Sequence, residues 1–532
     1  MKKSLLASLF LTALPFITWA QEAAQETAPM GLDDKINEAF MPIADAWEAF
    51  VLWGFNIGNG ISLPLVLILL IGGATLFTLA FSFVNIRRFG LAIQVVRGKY
   101  DDIEGVVKKP LKSKDVHVNV VDGDLVDTIK DEGHIGEVNH FQALATAVSG
   151  TVGLGNIGGV AVAIVMGGPG ATFWMILAGL LGMSSKFVEC TLGVKYRDIG
   201  PDGTVYGGPM YYLSKGLREI GMGGFGKVMA GLFAILCIGA SFGGGNMFQA
   251  NQATQQVVTQ FGIQSGAAGT ILGVVIAAFV GLVIIGGIKR IANVTEKIVP
   301  FMAILYVAAA LAIILMNISH IGSAFAHIFS EAFNPSAVAG GFVGVLITGF
   351  RRAAFSNEAG AGSAAIAHSA VETKFPASEG IVALLEPFID TVVICTMTAL
   401  VIVITGSYES GSLNGVDLTS TAFESSIPGS SYVLTIAIFL FAFSTMISWS
   451  YYGMQSWLYL FGRTKTNELI YKVLFLLFVV LGAAATLDAV IKFSDAMILA
   501  LVFPNMIGLI LLFPKVKQEL NSYLAAIRQS KA

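Results

Sequence analysis

Charge is scarce in this chain of 532 residues: 13% of the residues are charged and 55% are hydrophobic. Soluble domains carry about 25% charged residues, so the composition excludes an ordinary soluble protein. From Phe141 to Ser185 there is no Asp, Glu, Lys or Arg, which leaves room for two membrane helices of about 20 residues each. The chain is therefore predicted to cross a membrane several times.

Cysteine is also scarce, and its placement excludes several kinds of site. Cys190, Cys237 and Cys395 lie in or beside apolar segments and form no C-x-x-C pair, so they indicate packing residues and neither a disulfide framework nor a metal site. The sequence has no basic patch that would bind nucleic acid. Its apolar segments contain no H-x-x-x-H or G-x-S-x-G motif, so no enzyme activity is expected.

The first 20 residues have the pattern of a cleavable secretory signal. Two lysines precede a short apolar run, and Ala20 precedes a polar stretch. The alternative is an uncleaved first helix, which Pro15 and the shortness of the run disfavour. Cleavage would leave the mature N-terminus outside a bacterial inner membrane.

Eleven apolar runs after this signal are long enough to be membrane spans. They cover roughly 60–84, 141–166, 170–192, 228–258, 266–287, 296–318, 338–360, 379–405, 431–459, 471–490 and 494–514. Lys and Arg concentrate in alternate loops, whereas residues 407–430 contain none. By the positive-inside rule this alternation predicts an outside N-terminus and a cytoplasmic C-terminus, with Lys492 as the exception.

The region 85–138 is predicted to be a cytoplasmic insertion. Within it, "VHVNVVDGDLVDTI" alternates apolar and polar residues around an Asp-Gly turn. This pattern predicts a small β-hairpin. We expect a structural or regulatory appendage here and no catalytic domain.

The stretch "TVGLGNIGGV" (151–160) matches the dinucleotide fingerprint G-x-G-x-x-G in letters only. A nucleotide site would need a preceding buried strand and an acidic residue about 20 positions later, and neither is present. Two interpretations remain open from these residues. The glycines either let neighbouring helices approach closely, or they break a membrane helix so that its exposed N–H and C=O groups bind a ligand.

Six segments, in this order, resemble the alanine/glycine:cation symporter family. They are "FQALATAVSGTVGLGNIGGVAVAIVMGGPGATFWM" (141–175), "VYGGPMYYL" (205–213), "FGGGNMFQAN" (242–251), "AAFSNEAGAGSAAIAH" (353–368), "FIDTVVICTMTALV" (388–401) and "STMISWSYYG" (444–453). The resemblance spans about residues 50–515. It implies an all-α LeuT-type fold, with two inverted repeats of five helices each and one extra helix before them. The sequence itself does not display the inverted repeat.

With this resemblance, the chain divides into six expected parts. They are a signal peptide (1–20), a periplasmic segment (21–59), the extra membrane helix (60–84), the cytoplasmic insertion (85–138), the transporter core (139–515) and a cytoplasmic tail (516–532).

The resemblance assigns the substrate to the broken helix and two facing segments. It implies that the N–H groups near Gly153, Leu154 and Gly155 receive the substrate carboxylate. Gln249 would help to hold the substrate, with Asn246 as a weaker candidate. Further along the chain, Thr445 and Trp449 would line the pocket, with the Trp449 ring leaving space for a small side chain.

The resemblance also implies sodium ligands, which suit a hard cation because they are oxygen atoms. The candidates are the carbonyl groups of Ser149, Thr151 and Val152, the side chain of Asn156, and the hydroxyl groups of Ser444 and Thr445. From spacing alone, an equally good interpretation is that these hydroxyls only bond back to helix carbonyls.

The function implied by the resemblance is sodium-coupled symport of small neutral amino acids, alanine and glycine first, into the cytoplasm by alternating access. The partners would be the amino acid and the lipid bilayer, with no obligate protein partner. The residues alone do not distinguish sodium from proton coupling. The alternative is a channel for ions or small solutes, which the absence of a repeated filter segment disfavours.

Alternating access needs paired broken helices, which the glycine clusters at 153–159 and 360–362 indicate. The position of the second break stays open, because Gly340, Gly341, Gly344 and Gly349 also offer locations within the span 338–360.

Charges inside predicted membrane spans are functional candidates. Glu358 follows Arg351 and Arg352 closely, so these three residues are predicted to form a cytoplasmic gate or brace.

Other intramembrane charges are predicted to pair. Glu386 and Asp390 are four residues apart and share a helix face, and pairing or bracing is favoured over ion coordination. Lys186 and Glu189 are expected to pair with each other. His368 is expected to pack or bond near the inside interface.

Overall fold

The computed structural model describes residues 31–56, 62–105, 136–200, 203–334 and 341–530. The predicted signal peptide and the predicted hairpin both lie outside these residues. The described chain is mostly helical, with two small antiparallel sheets, in which β1 (Gly54–Asn56) pairs with β2 (Ser62–Pro64) and β3 (Asp198–Ile199) with β4 (Val205–Tyr206).

The helices are numbered in chain order. Up to the second sheet they are α1 (Leu32–Val51), α2 (Leu65–Ala80), α3 (Val84–Arg87), α4 (Phe89–Val96), α5 (Asp101–Glu104), α6 (His140–Thr151), α7 (Gly155–Gly167) and α8 (Ala171–Lys195). Those of the middle of the chain are α9 (209–219), α10 (Gly223–Phe261), α11 (Ala268–Ile284), α12 (Gly287–Met316) and α13 (Ile321–Phe333). The remainder are α14 (Gly341–Asn357), α15 (Ala364–His368), α16 (Pro376–Thr405), α17 (Gly415–Ser426), α18 (Ser430–Phe461), α19 (Lys465–Ala484) and α20 (Leu487–Gln529).

Length and hydropathy identify the helices that can cross a membrane. Among the described residues, seven helices pass this test, and the bent pair α6 and α7 passes as an eighth. Each of the eleven predicted runs overlaps a helix, but α2, α11 and α14 are only 16, 17 and 17 residues long. The protein is therefore a multi-pass membrane protein, while the count of eleven spans and the inverted repeat stay predictions.

One predicted boundary is wrong. The apolar run 471–490 contains a break, because α19 ends at Ala484 and α20 begins at Leu487. The last run is also longer than predicted, since α20 continues to Gln529.

The start of α6 follows from local sequence. The Asn139 side chain accepts a hydrogen bond from the N–H of Gln142 at 2.9 Å, and the Gln142 side chain accepts one from the N–H of Asn139 at 3.2 Å. This reciprocal capping box satisfies two N–H groups that the first helical turn leaves free. It places His140, the first residue of α6, at a fixed point next to the insertion.

The helices pack around a core that contains α6, α10, α16, α18 and α20, and large apolar side chains on the outer helices are exposed. Examples are Ile304, Leu282 and Leu477, at 69%, 62% and 54% exposure. Such residues suit a lipid environment, in which burial within protein is not required. The functional candidates lie inside the bundle.

Candidate functional site

The helix containing "TVGLGNIGGV" is broken. α6 ends at Thr151, helical structure resumes at Gly155, and the two halves are bent by 52°. The exposed N–H groups are taken up by side chains: Gly153 donates to Asn156 Oδ1 at 2.9 Å, and Leu154 donates to Gln249 Oε1 at 2.9 Å. The predicted break in the helix is thus confirmed, while the binding of a ligand at the break stays a prediction.

Close helix approach also occurs at this segment. A Cβ on Gly158 would lie 2.6 Å from Gln252 Oε1, which is closer than a Cβ atom lies to a non-bonded atom in proteins. Close approach and a helix break therefore both occur in this segment, at different glycines.

Most of the predicted substrate residues come together. A Cβ on Gly153 would overlap Thr445 Oγ1 and lie 3.0 Å from Gln249 Oε1. Gln249 is itself oriented by a bond from its Nε2 to Gly244 O at 2.9 Å. Residues from α6, α10 and α18 therefore surround the exposed N–H groups, although their part in substrate binding stays a prediction.

Trp449 and Gly155 lie at the edges of this group. The Trp449 ring packs directly on Gly245, where any Cβ would overlap it. Gly155 faces Phe355 and Ser356 of α14 instead, with its Cβ position 3.4 Å from the Phe355 ring. Asn246, the weaker candidate, points away and donates to Phe475 O at 2.6 Å.

Ser149, Ser444 and Thr445 link α6 to α18, but Ser444 does so through its carbonyl group, since its predicted hydroxyl bonds back to Phe441 O at 3.0 Å. Ser149 Oγ donates to Ser444 O at 2.9 Å, and Thr445 Oγ1 donates to Ser149 O at 3.0 Å. Ser448, which is not among the predicted ligands, donates to Ser149 Oγ at 3.0 Å. These hydroxyl and carbonyl oxygens form a compact oxygen cluster at the end of the first half-helix.

The remaining predicted sodium ligands do not all belong to this cluster. Thr151 Oγ1 bonds back to Ala147 O at 3.2 Å, as helical threonines commonly do. Val152 is buried at the break itself. The Asn156 side chain lies between the break and Asp390. Its Oδ1 accepts the N–H of Gly153, and its Nδ2 donates to Asp390 Oδ1 at 2.6 Å and to Asp390 O at 3.0 Å.

Asp390 is the residue whose place in the site the sequence interpretation missed. It is fully buried and accepts further bonds from Ser356 Oγ at 2.8 Å and Thr391 Oγ1 at 2.6 Å. No Lys, Arg or His forms an ion pair with it in the part of the chain that the structure describes. The pairing predicted for Asp390 is wrong, whereas Glu386 pairs with Lys186 at 2.9 Å. The sequence feature that could have identified Asp390 is that its carboxylate lies within an apolar run.

Lys186 forms one ion pair more than predicted. Its Nζ lies 3.9 Å from Glu189 Oε1 but only 2.9 Å from Glu386 Oε1, and all three side chains are fully buried. The predicted Lys186–Glu189 pair is present and is the longer of the two.

Removal of this charge is expected to destabilise the fold strongly. Lys186→Met would leave the buried Glu189 without a counter-charge and Glu386 with only His368, at 3.5 Å. Removal of one partner from a buried ion pair costs about 3–5 kcal/mol. Lys515→Met is the matched control, because Lys515 pairs with Glu219 at 3.3 Å on a partly exposed surface, where a pair contributes about 0–1 kcal/mol. Thermal unfolding in detergent should show a large drop in Tm for the first variant only; equal drops would contradict the assignment.

A second helix break lies near the first. α14 ends at Asn357, Glu358 and Gly360 adopt positive φ angles of 54° and 85°, and helical structure resumes at Ala364. The break therefore coincides with the glycine cluster at 360–362 that the sequence indicated, and not with the other candidate glycines Gly340, Gly341, Gly344 and Gly349. Glu358 Oε1 accepts the indole N–H of Trp449 at 2.9 Å, and its Oε2 accepts the Ser363 hydroxyl. These bonds hold a non-glycine residue in a conformation that costs about 1–3 kcal/mol.

Arg351 and Arg352 do not bond to Glu358. Arg351 Nε donates to Asp495 Oδ2 at 2.7 Å and its Nη2 donates to Glu48, while Arg352 pairs with Asp495. Glu48 belongs to the segment predicted outside the membrane. The predicted cytoplasmic gate of Glu358 with these arginines is therefore wrong, and the arginine cluster lies on the side of α1.

A family model matches most of this chain: that of the Sodium:alanine symporter family covers residues 117–532. The chain belongs to the sodium:alanine symporter family. Among curated relatives, Sodium/alanine symporter AgcS of Methanococcus maripaludis is 38% identical over 93% of this chain and 99% of its own length. Amino-acid carrier protein AlsT of Bacillus subtilis is 36% identical, over 72% of this chain and 79% of its own length.

One solved structure also matches in part. MhsT in complex with L-phenylalanine is similar with a TM-score of 0.48 and 16% identity, covering 72% of this chain and 99% of the MhsT chain.

Membership of this symporter family decides the class of function. The chain is a secondary transporter of an amino acid with sodium as its coupling ion, in a family of transporters rather than enzymes. The site described above is therefore considered below as a transport site.

Proposed function

We propose that this symporter carries small neutral amino acids, alanine and glycine first, into the cytoplasm together with sodium by alternating access. The observation that carries the proposal is the helix break at 152–154, where the N–H groups of Gly153 and Leu154 meet side-chain oxygens. Support also comes from AgcS, a sodium/alanine symporter that is 38% identical to this chain.

The substrate carboxylate is proposed to bind at these N–H groups. In the described form they are held by Asn156 Oδ1 and Gln249 Oε1, and a carboxylate oxygen can take the place of these acceptors. The N-terminus of α7 adds a favourable helix dipole, as at other anion sites. Gln249 then remains next to the substrate through its bond to Gly244 O.

The size of the substrate is proposed to be limited by aromatic rings. The Trp449 ring packs on Gly245. The rings of Phe248 and Phe355 pack against each other, with their centroids 4.9 Å apart. All three rings are buried. A hydrogen or methyl side chain fits beside rigid rings in a close-packed interior more easily than a branched side chain.

Truncation of the Trp449 ring is expected to widen the substrate range. Trp449→Ala should admit leucine, because a removed indole leaves space for several methyl groups, each contributing about 0.8 kcal/mol of burial. Trp457→Ala is the matched control, since Trp457 lies on the same helix and is only partly buried. Inhibition of labelled alanine uptake by leucine and glutamine measures the range; unchanged selectivity in Trp449→Ala would remove the ring from the size filter.

Asp390 is proposed to hold the coupling sodium. A buried carboxylate without a cationic partner is costly unless a bound cation or a proton neutralises it. Around Asp390 lie the hydroxyl oxygens of Ser356 and Thr391, which are ligands that suit sodium. This proposal extends the predicted ligand set, which does not contain Asp390.

The oxygen cluster of Ser149, Ser444 and Thr445 is proposed as a second sodium position. It lies across the break from Asp390, and both positions adjoin the N–H groups assigned to the substrate. Binding of the ions and the amino acid would thus stabilise the same arrangement of two half-helices, which is the physical basis of coupling.

The energetics require only one ion. A zwitterionic amino acid has no net charge, and one cation crossing about 100 mV supplies ~2.3 kcal/mol. At ~1.4 kcal/mol per tenfold ratio this supports roughly 50-fold accumulation. A sodium concentration gradient would increase this ratio.

The orientation is proposed from loop charges and from contacts. An inner-membrane location with the N-terminus outside places Glu48 and Asp495 on one side of the membrane, and Asp45 and Lys492 on the same side. The first two belong to the arginine cluster, and the latter two pair at 2.9 Å. These contacts join segments that are predicted to lie on the same side of the membrane, which supports an even number of spans between them, as the predicted topology has.

Uptake of labelled alanine by proteoliposomes tests the function. An inward sodium gradient with a negative interior potential should produce saturable accumulation, and replacement of sodium by choline should abolish it. Accumulation driven equally by a proton gradient in the absence of sodium would contradict sodium coupling. Flux that neither saturates nor depends on a cation gradient would favour the channel.

A further inference from the structure

A chain of buried ionisable side chains lies apart from the transport site. His140 lies between Glu104 and Glu379, with its Nε2 at 2.6 Å from Glu104 Oε2 and its Nδ1 bonded to Glu379 Oε2. His368 Nδ1 lies 2.5 Å from the other oxygen of Glu379. Its Nε2 is 3.5 Å from Glu386 Oε2, which is an ion-pair distance. All five side chains are at most 5% exposed.

The hydrogen-bond geometry indicates an additional proton at each of these histidines. A neutral imidazole has one N–H, and its second nitrogen is an acceptor. Both nitrogens of His140 face carboxylate oxygens, and both nitrogens of His368 do so as well. Carboxylates are acceptors when ionised, so two acceptors would face each other at one nitrogen of each neutral ring. One additional proton at His140, on the ring or on a facing carboxylate, gives each of its contacts a donor. At His368 an additional proton gives the ring the charge that suits the 3.5 Å ion-pair distance to Glu386.

Other charged groups surround this chain of residues. Lys186 pairs with Glu386 and lies 3.9 Å from Glu189. The carboxylate of Glu358 attracts the Lys186 ammonium group electrostatically over a longer distance. Arg197 lies beside Glu379 and donates to the carbonyl groups of Ser369, Val371 and Thr373. Burial lowers the pKa of the Arg197 guanidinium to about 10, which leaves it cationic at neutral pH. Tyr523 Oη donates to Glu104 Oε1 at 2.5 Å.

These contacts fix the base of the first half-helix. His140 is the first residue of α6, while Glu104 ends α5, Glu379 lies in the first turn of α16 and Tyr523 lies on α20. A backbone bridge between Val138 and Val371 adds to the attachment. The other end of α6 is Thr151, at the helix break. A change in the attachment at His140 would therefore move the helix that ends at the transport site.

We propose that His140 and His368 form a proton-binding site that locks the first turn of α6 in the closed form. When the protein opens on the side of the membrane where α6 begins, the site releases its protons to water. The proposal rests on alternating access, which is part of the proposed function. When α6 moves away, the exposed imidazoles regain their ordinary titration near pH ~6.5. The proton leaves the ring nitrogen, and Glu104 and Glu379 become hydrated carboxylates.

The sign of the pH effect follows from linkage. Protons bind more tightly to the closed form, so the lock is complete below the pH at which the exposed histidines titrate. It weakens as the pH on this side rises above that value. The ratio of open to closed molecules then increases by up to about tenfold per pH unit for each proton released.

Spin labels can measure this opening without transport. Phe141→Cys on α6 and Lys374→Cys before α16 give two exposed labelling sites, whereas Cys190, Cys237 and Cys395 are all buried. Distances between the labels are recorded in nanodiscs at about pH 6 and about pH 8, on either side of the ordinary histidine range. The separated population should increase at least about tenfold at the higher pH.

Variants identify the responsible residues. His140→Gln, added to the labelled pair, should remove the pH dependence. His320→Gln should keep it, because His320 is exposed and belongs to a different part of the chain. Glu104→Gln, which retains the shape but not the charge, should shift the transition to lower pH, and it keeps the proposal testable if His140→Gln does not fold.

The possible results separate this proposal from the proposed function. A pH-independent distance in the labelled parent, or the same pH dependence in His140→Gln, would overturn the proton lock. A pH-dependent distance that His140→Gln abolishes would support the lock even if alanine uptake failed in proteoliposomes. Alanine uptake coupled to sodium, together with a pH-independent distance, would leave the transport function standing and remove the lock.

Discussion

Sodium should raise the thermal stability of the wild-type protein but not that of Asp390→Asn. A ligand that binds the folded form stabilises it in proportion to the logarithm of its concentration above Kd. The amide has no charge, and loss of one member of a buried charge pair costs about 3 kcal/mol, or ~100-fold in affinity. Alanine uptake at a fixed sodium concentration should fall by a similar factor.

The same variant has a second, opposite expected effect. Without sodium, Asp390→Asn should be at least as stable as the wild type, because it removes a buried charge that no side chain pairs among the described residues. Asp417→Asn is the matched control, since Asp417 lies on α17 and accepts a bond from Gln255 at 2.9 Å away from the break. A full sodium response in Asp390→Asn would remove this carboxylate from the ion site.

Gly153→Ala should abolish alanine binding while leaving the protein folded. The added methyl group would overlap Thr445 Oγ1 and lie 3.0 Å from Gln249 Oε1, so it occupies the position assigned to the substrate carboxylate. Displacement of reacting or binding groups by about 1 Å costs ~100-fold in comparable sites. Labelled alanine binding by scintillation proximity measures the loss.

Gly159→Ala is the matched control for this substitution. Gly159 lies in the same segment, but the nearest atom to its Cβ position is Leu154 O at 3.8 Å. Alanine is favoured over glycine in helices by about 1 kcal/mol, so this variant should bind alanine normally and unfold at an equal or higher temperature. Equal loss of binding in both variants would mean that the segment needs glycine for flexibility rather than for space.

Much of the helical framework could be predicted from the sequence. Run length and loop charge identify membrane helices because hydrocarbon excludes unpaired backbone groups and charges. The first helix break could be predicted too, since each glycine in a charge-free span disfavours a continuous helix by about 1 kcal/mol relative to alanine. In contrast, the contact of Gly153 with Thr445 joins residues far apart in the chain, and only the family resemblance suggested it.

The mistakes have a common physical cause. Glu386 and Asp390 look alike in sequence, but the partner that distinguishes them, Lys186, is 200 residues away from Glu386. The position of the second break could not be chosen from the sequence, because glycines occur both at 340–349 and at 360–362. In the structure the break lies at Glu358, whose carboxylate accepts hydrogen bonds from Trp449 and Ser363. Local propensity contains no information about such distant partners.

Coupled movement of sodium by an alanine gradient tests the central claim most directly. Proteoliposomes are prepared with equal sodium concentrations on both sides and clamped at zero potential, and alanine is added outside only. Because coupling is reciprocal, radioactive sodium should accumulate inside transiently, and Gly153→Ala vesicles should show no accumulation. Alanine entry without net sodium movement in the wild-type vesicles would contradict sodium-coupled symport.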